Sequence, residues 1–436
     1  MSAAVLTRKH RRGKTAWFLL ACCFAGIAPH FFEPTSSLFP SISLAFFLGG
    51  YGLLTVLREP NRTGSNQKLD KLDLLVDSEL PSVDVLVAAR DEEAVITRLV
   101  ERIHALRYPE GKLGIWIIDD GSKDQTPVLL KELSKTFPRL NIIQRSITQG
   151  GGKSGALNSA LCQTKAEWLF ILDADAQFEA DVLIRLISYA KRGQWSAVQL
   201  RKAVLNPFKN FLTQFQAMEM AMDAVIQQGR LSGEGVVELR GNGQLLERET
   251  VEYCGGFNED TVTDDLDLSF RLLINQSHIG ILWDPPVQEE AVDSLLSLWR
   301  QRQRWAEGGL QRFFDYWPIL LSNKLTISQR QDLTCFFLLQ YVLPVVSFVD
   351  LIATLLTKTI PTYWPLSFVA FSVSGLAYFR GCRKISEGPL LPYPNFIRLL
   401  SAIIYLSHWF VIIPWVTFKM AVFPKKLVWL KTTHHG

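Results

Sequence analysis

Two carboxylates stand one residue apart at Asp173 and Asp175, directly after the apolar run Trp168–Leu172. Hard divalent cations prefer oxygen ligands, and a cation held at this turn would bridge to a diphosphate and neutralise it as a leaving group. An Asp-x-Asp pair also occurs in ordinary solvated turns, so the pair alone is weak evidence. Its position at the end of an apolar strand makes a metal site, for Mg²⁺ with Mn²⁺ as the alternative, as good an interpretation as a solvated turn.

A second carboxylate pair, Asp119 and Asp120, follows another apolar run. These groups can accept hydrogen bonds from a uracil N–H or a ribose hydroxyl, but a strand-to-helix turn with a capping side chain explains them better when they are taken alone. The glycine-rich segment 150–154 lacks the first glycine of a Walker A loop, so that hypothesis fails on spacing. Lys153 and the backbone N–H groups beside it can still approach phosphate oxygens.

Three carboxylates open the helical pattern that runs from Thr263 to Leu272, and two of them, Asp264 and Asp265, are adjacent. Because adjacent side chains point in different directions, one can face a pocket while the other caps the helix. A pocket aspartate can act as general base on an acceptor hydroxyl. In isolation, simple charges at a helix N-terminus are the better explanation.

Gln301, Arg304 and Trp305 lie on one face of an amphipathic helix that is predicted from about Ser294. Such a helix can lie in a membrane interface, where its arginine would meet a diphosphate and its tryptophan would stack on an acceptor. A structural interface helix is an equally good interpretation of this segment taken alone.

An alternation of strands and helices must position these residues. Apolar strands are predicted, with helices between the first four, at Val83–Ala89, Gly114–Ile118, Leu140–Gln144, Trp168–Leu172 and Ala197–Leu200. This βαβα order predicts a mostly parallel, doubly wound sheet. Ligands of such sheets bind at the carboxyl ends of the strands, which is where both aspartate pairs fall.

Long apolar runs stand at both ends of the chain. The candidates for membrane spans are Trp17–Phe32, Leu38–Leu57, Cys335–Leu356, Trp364–Phe379 and Ile397–Phe423. Basic residues before the first run predict a cytosolic N-terminus, and two spans would then return the chain to the cytosol. The domain from Arg58 to about Lys324 is therefore predicted to be cytosolic. Three C-terminal spans would leave the basic tail outside, against the positive-inside tendency, unless the last run is re-entrant.

Composition narrows the class of protein. Hydrophobic residues make up 48% of the 436 residues and charged residues 20%, which is less charge than a soluble chain usually carries. The net charge of +4, without a basic stripe, argues against nucleic acid as a partner. The predicted parts are an N-terminus with a two-helix membrane hairpin (1–60), a catalytic domain (61–293), interfacial helices (294–330), C-terminal membrane helices (331–423) and a basic tail (424–436).

Taken in order, the motifs resemble those of the family 2 glycosyltransferases, over roughly Pro81 to Trp317. The segments that carry the resemblance are Ala88–Glu92, Asp119–Ser122, Gly152–Asn158, Asp173–Asp175, Thr263–Asp265 and Gln301–Trp305. The resemblance implies an α/β fold of the GT-A type and an inverting, single-displacement transfer of a sugar.

The same resemblance implies a role for each site residue. The donor nucleotide would contact Ala89, Glu92, Asp119, Asp120, Lys153 and Asp173, and the metal ion would be held by Asp173 and Asp175. The catalytic base would be Asp265. The acceptor end and the diphosphate would be gated by Gly243, Asp264, Gln301, Arg304 and Trp305. Asp91 and Asp264 stand where the family usually has Asn and Glu, and neither departure is expected to remove the base.

Further segments resemble the β-monoglucosyldiacylglycerol synthases of cyanobacteria. They are Glu238–Gln244, Thr263–Leu272, Val287–Glu290, Arg304–Gly309 and Pro424–Lys431. This resemblance implies UDP-glucose as donor, 1,2-diacylglycerol in the membrane bilayer as acceptor, and Mg²⁺. The residues themselves leave glucose and galactose open as donor sugars, and they predict no oligomeric state. A processive β-polysaccharide synthase, which shares the motifs, and a membrane receptor with a dead transferase domain remain the alternatives.

Overall fold

The computed structural model describes residues 11–58, 74–320, 322–384, 391 and 393–423. The helices are α1 (Arg11–Ile27), α2 (Pro34–Leu57), α3 (Ile96–His104), α4 (Thr126–Thr136), α5 (Gly152–Leu161), α6 (Val182–Gly193), α7 (Phe211–Ser232), α8 (Arg248–Tyr253), α9 (Asp264–Ile274), α10 (Leu295–Leu320), α11 (Ile327–Phe337), α12 (Leu343–Thr357), α13 (Trp364–Lys384), α14 (Phe396–Leu406) and α15 (Trp409–Val422). The strands are β1 (Val83–Ala89), β2 (Leu113–Asp120), β3 (Leu140–Arg145), β4 (Trp168–Leu172), β5 (Ala197–Val204), β6 (Gln244–Glu247) and β7 (Ile279–Glu289). The basic tail 424–436 and the segment Pro424–Lys431 lie outside the described residues.

The strands form one mixed sheet in the order β3-β2-β1-β4-β6-β5-β7. The first four strands pair in parallel, while β6 runs antiparallel to both of its neighbours. Helices cover both faces: α3 and α6 bury Leu99 and Leu186 on one side, and α5 and α9 bury Leu157 and Leu268 on the other. The predicted α/β architecture, with a mostly parallel sheet, is confirmed.

The sequence predicted β1 and β4 with their observed bounds, and β2, β3 and β5 with shorter ones. It missed β6 and β7 for physical reasons. β6 has four residues, too few to show a periodic pattern, and β7 carries Pro285 and Pro286, which ordinarily argue against a strand because proline cannot donate to the ladder. β7 pairs in parallel with β5, with a break in register between Leu200 and Lys202.

Four segments of the described chain are long and apolar enough to cross a membrane. They are Arg11–Phe31, Ser37–Leu57, Ile327–Thr357 and Phe396–Val422. The fourth predicted run, Trp364–Phe379, forms helix α13 but is not among them, since the helix also carries polar and basic residues. α13 instead packs along α2, where Val369 and Val373 lie against Gly49 and Gly52.

The last apolar run breaks into two helices at Ser407 and His408. Pro414, although proline often breaks helices, lies inside α15. α15 returns towards the start of the chain, since Arg12 donates a hydrogen bond from Nε to the carbonyl of Ala421 at 3.1 Å. The end of α15 therefore lies beside the start of α1, and the re-entrant course of the last run remains a prediction.

The start of α1 is fixed to the catalytic domain. Arg11 forms an ion pair with Asp315 of α10, and Lys14 donates to the carbonyl of Phe314 at 2.6 Å. The basic end of α1 thus lies on the same side as the sheet and its ligand-binding edge.

Candidate active site

A cavity of about 630 Å³ extends from the carboxyl ends of the strands to the membrane helices. Several residues that the sequence predicted for the site line its polar end: Glu92, Lys153, Asp173, Asp175, Asp264, Asp265, Gln301, Arg304 and Trp305. They come from the loops after β1 and β4 and from helices α5, α9 and α10. The fold thus brings residues more than 200 positions apart into one pocket.

Asp173 and Asp175 follow β4 directly. The buried Asp175 accepts a hydrogen bond at Oδ2 from the N–H of Glu290 at 2.9 Å. Burial and the carboxylates of Glu289 and Asp173 raise the pKa of Asp175 to about 8, although the Glu290 N–H and Lys202 act in the opposite direction. Crowded carboxylates of this kind repel one another, and a bound cation would relieve that repulsion.

The carboxylate oxygens of this site suit a divalent cation that is also held by a substrate. Within the described ranges, no group of three or more His, Cys, Asp or Glu side chains forms a metal site of its own. Mg²⁺ typically binds through one or two carboxylates together with substrate phosphates. Asp173 and Asp175 supply such a pair of oxygen ligands at the wall of the cavity.

Lys153 lies in the first turn of α5 and connects two parts of the site. Its Nζ lies 2.5 Å from Oδ1 of Asp173 and 3.4 Å from the carbonyl of Gly241. Burial alone would lower the pKa of Lys153, but the carboxylates of Asp173 and Asp264 outweigh it and raise the pKa. The side chain is therefore a permanent cation beside the aspartates.

Asp264 and Asp265 form the first turn of α9. Burial and the neighbouring Asp264 raise the pKa of Asp265 to about 6, with Lys153 and Lys202 acting in the opposite direction. Gly241 has φ of +87°, and a Cβ there would lie 3.4 Å from Oδ2 of Asp265, so this glycine lets the backbone pass close to the carboxylate. A carboxylate with a pKa near 6 is ionised at neutral pH and is suited to accept a proton.

The predicted face of α10 does line the cavity, with Gln301, Arg304 and Trp305. Arg304 stands among acidic groups: burial lowers its pKa, and the carboxylates of Asp173 and Asp265 act in the opposite direction. The ring of Trp305 adds an aromatic surface beside this cation. The site thus offers a guanidinium for an anion and a flat apolar surface for an acceptor.

Four predicted residues do not line this cavity, namely Ala89, Asp119, Asp120 and Gly243. Asp119 accepts from the N–H of Ser122 at 3.0 Å, as a strand-to-helix turn requires. Asp120 is paired with Arg145. Gly243 has φ of +71°, and a Cβ there would lie 2.7 Å from Val287, so the glycine is explained by packing within the sheet.

Two residues of this polar end, Lys202 and Glu289, escaped the sequence analysis. Lys202 of β5 pairs with Glu289 of β7 at 2.6 Å and donates to the carbonyl of Arg240 at 3.2 Å. The charged pair stands where β5 and β7 lie side by side, and it is part of the cavity wall. Because β7 itself was not predicted, nothing in the sequence placed these two residues together.

A buried ionic network that the sequence also did not reveal holds the loop around Gly241. Burial would raise the pKa of Glu238, but three arginines outweigh it and lower the pKa to about 2. The nearest of them are Arg312 at 2.7 Å and Arg240 at 2.8 Å. A buried carboxylate needs such partners, and here they lock the loop against α10.

The other end of the cavity is apolar and is formed by helices from both ends of the chain. It is lined by Leu48, Leu343, Leu366, Val369, Ala370, Phe371, Val373, Leu406, Phe410 and Ile413. These residues come from α2, α12, α13, α14 and α15. The cavity as a whole is therefore amphiphilic, with charged groups at one end and hydrocarbon surface at the other.

Comparison with known proteins gives consistent matches. The profile described as "Glycosyltransferase like family 2" matches residues 81–308. The chain is 39% identical to the β-monoglucosyldiacylglycerol synthase of Nostoc sp. over 98% of its own length and 90% of the relative's. It is 39% identical to the synthase of the same name from Synechocystis sp., covering 97% and 88%. The poly-β-1,6-N-acetyl-D-glucosamine synthase of Staphylococcus epidermidis is 25% identical, covering 81% and 86%.

Among solved structures, the mannosyltransferase PcManGT from Pyrobaculum calidifontis, in complex with GDP-Man and Mn²⁺, matches with a TM-score of 0.52. It is 17% identical, and the match covers 93% of this chain and 98% of that one. At this level of identity the likeness concerns the fold, which is of the GT-A type as predicted.

Proposed function

Since the chain belongs to the family 2 glycosyltransferases, we propose that it moves glucose from UDP-glucose to the sn-3 hydroxyl of 1,2-diacylglycerol, with inversion to the β-glucolipid. The observation that carries this proposal is the continuous amphiphilic cavity. A diacylglycerol has one small polar end and two hydrocarbon chains, and the cavity offers a matching polar and apolar end. The names of the relatives at 39% identity support glucose as the sugar and diacylglycerol as the acceptor.

The chain's own residues suit an in-line displacement. Asp265 accepts the proton of the acceptor hydroxyl while that oxygen attacks C1 of the sugar, because its carboxylate is ionised and faces the cavity. Lys153 and Arg304 contact the diphosphate and stabilise the negative charge that develops as it leaves. Trp305 supplies the surface on which the acceptor rests.

We propose Mg²⁺, with Mn²⁺ as an alternative, as the ion held by Asp173 and Asp175. When bound, the ion would neutralise charge on the departing diphosphate. Glu92, which lines the same cavity, is proposed to contact the donor nucleotide. The predicted donor contacts of Ala89, Asp119 and Asp120 remain proposals for the nucleotide end of the site.

The catalytic domain is proposed to face the cytosol of a multi-pass membrane protein. Its support is the basic start of α1, where Arg11 and Lys14 are bonded to α10 of the catalytic domain. The positive-inside tendency places such a helix end in the cytosol. The contact of Arg12 with Ala421 puts the end of α15 on the same side, which suits a basic tail.

A product assay tests the proposal. The purified full-length protein is given labelled UDP-glucose or UDP-galactose, Mg²⁺ and dioleoylglycerol in mixed micelles. A chloroform-soluble glucolipid from UDP-glucose is the expected product. An ethanol-insoluble polymer would support the polysaccharide synthase instead, and absence of both transfer and UDP release would support a catalytically dead domain.

A further inference from the structure

A cluster of four side chains joins the catalytic domain to helices α14 and α15. Glu219 of α7 accepts at Oε2 from Arg302 of α10 at 2.5 Å and from the hydroxyl of Tyr405 at 3.0 Å. Its other oxygen accepts from Nε1 of Trp409 at 2.9 Å. One carboxylate thus ties together four helices that lie far apart in sequence.

This cluster, which we call the Glu219 clamp (Glu219, Arg302, Tyr405 and Trp409), has the buried Arg302 at its centre and three half-buried partners around it. The side chain of Arg302 is 2% exposed and that of Glu219 12%. A buried charge is strongly unfavourable unless it is paired and hydrogen-bonded. Arg302 therefore depends on Glu219 for its position.

The clamp also fixes the aromatic surface of the site. The guanidinium of Arg302 lies 4.0 Å from the centre of the Trp305 ring and 5.6 Å from that of Trp409. Cations attract the faces of aromatic rings at such distances. Arg302 thus connects the indole of Trp305 to the indole of Trp409, one on α10 and the other on α15.

The Glu219 clamp lies between the polar end and the apolar end of the cavity. Glu219, Arg302 and Trp409 all line the cavity, as Trp305 does. On one side Lys202 of the polar end lies 6.0 Å from the Trp305 ring. On the other side Leu406 and Phe410, which flank the clamp on α14 and α15, belong to the apolar end.

We propose that Glu219 is a positioning residue of the acceptor site. Through Arg302 it holds Trp305 in place, and through Tyr405 and Trp409 it holds α14 and α15 as the wall along which the lipid acceptor lies. The inference rests on the proposed function, because it assumes that the acceptor occupies this cavity. Glu219 does not act on the donor, so its loss is expected to weaken acceptor use selectively.

The test uses the full-length protein with Glu219→Gln, which keeps the size of the side chain but removes its charge. We expect the KM for dioleoylglycerol in mixed micelles to rise about tenfold, a change of about 1.4 kcal/mol, while the Kd for UDP-glucose stays within about twofold of the wild type. Trp409→Phe removes a single donor to the same carboxylate and should shift the lipid KM in the same direction by less. Glu252→Gln is the matched control, because Glu252 forms an exposed pair with Arg248 at 3.1 Å.

An unchanged lipid KM in Glu219→Gln, or an equal loss of donor affinity, would overturn the inference. Should that variant fail to fold, Trp409→Phe decides: an unchanged lipid KM overturns the inference and a raised one supports it. The wild-type protein tests the proposed function separately, by whether it glucosylates dioleoylglycerol at all. If it uses another acceptor, the ratios of variant to wild type are measured with that acceptor.

Discussion

The two ends of the cavity are built on different principles. The polar end is made of strand ends and first helical turns, where charges are crowded and each is held by opposite charges, as Lys153 is held by Asp173. The apolar end is made of helix faces, where Val369 and Val373 pack against glycines of α2. Pairs of opposite charges therefore hold the side chains of the polar end in place, whereas close packing of helix faces holds the apolar end. Substitutions should therefore affect donor chemistry at one end and lipid use at the other.

The largest effect is expected at the polar end, from Asp265→Asn. Loss of the general base should lower the rate of glucosyl transfer about 10²- to 10⁴-fold, with UDP-glucose binding retained because the base contacts the acceptor. Measurement of kcat for lipid product and of Kd for UDP-glucose checks both parts. Asp77→Asn, at an exposed side chain, is the control. A variant that keeps wild-type kcat would remove Asp265 from this role.

A smaller effect is expected from Lys153→Met, which removes the cation beside Asp173. The KM for UDP-glucose should rise about 10- to 100-fold, since a hydrogen bond to a charged group contributes about 1.5–3 kcal/mol. Initial rates at saturating lipid give this value, and Lys131→Met on the exposed side of α4 serves as control. An unchanged KM for UDP-glucose together with a raised lipid KM would reverse the assignment of Lys153 to the donor end.

At the apolar end, Ala370→Trp should fill part of the space that holds the lipid chains. The KM for dioleoylglycerol is expected to rise about tenfold, because a pocket discriminates shape by about 1–3 kcal/mol, while diacylglycerols with short chains are used better. Phe368→Trp is the matched control, since Phe368 lies on the same helix and is 65% exposed. A loss of UDP-glucose affinity in Ala370→Trp would show that the two ends are not independent.

The smallest expected effect is a shift in pH dependence. Asp265 must be ionised to act as base, so kcat/KM should fall as the pH drops through about 6, the raised pKa of its carboxyl. Lys202 acts to lower that pKa. Lys202→Met should therefore move the acid limb of the profile to higher pH by a fraction of a unit. A pH–rate profile from pH 5 to 8 measures the shift, and an unmoved limb would contradict the electrostatic coupling of Lys202 and Asp265.

The two ends also differ in how far the sequence predicts them. Asp173 follows an apolar strand and Asp265 opens a helical pattern, and both belong to motifs that stand in a recognisable order, so their convergence could be expected before the structure was known. Partnerships between distant residues, such as Lys202 with Glu289, depended on β7, whose prolines concealed the strand. The local pattern of a sequence does not show which buried charged residues will pair with each other.

For the apolar end, the sequence predicted which segments are apolar helices but not how these helices are arranged. The sequence identified its helices from apolar length, yet the break at Ser407 and His408 carries no helix-breaking residue, whereas Pro414 continues inside α15. Contacts of α15 with α1 and α10 decide its course, and these contacts are tertiary. The course of α15 beside α1 therefore followed only from the assembled helices.

The contact between Arg12 and Ala421 also bears on the order in which parts of the chain are synthesised and meet. It joins residues 409 positions apart, so α1 is synthesised long before its neighbour α15 exists. At about 5–20 residues per second, translation separates the two by about 20–80 seconds. During that interval α1 lacks this partner and the cavity lacks the α15 wall. A ribosome that stalls before α15 leaves a chain with its donor-side aspartates but without the wall against which a lipid would lie, so we expect sugar transfer to lipid only after α15 has been made.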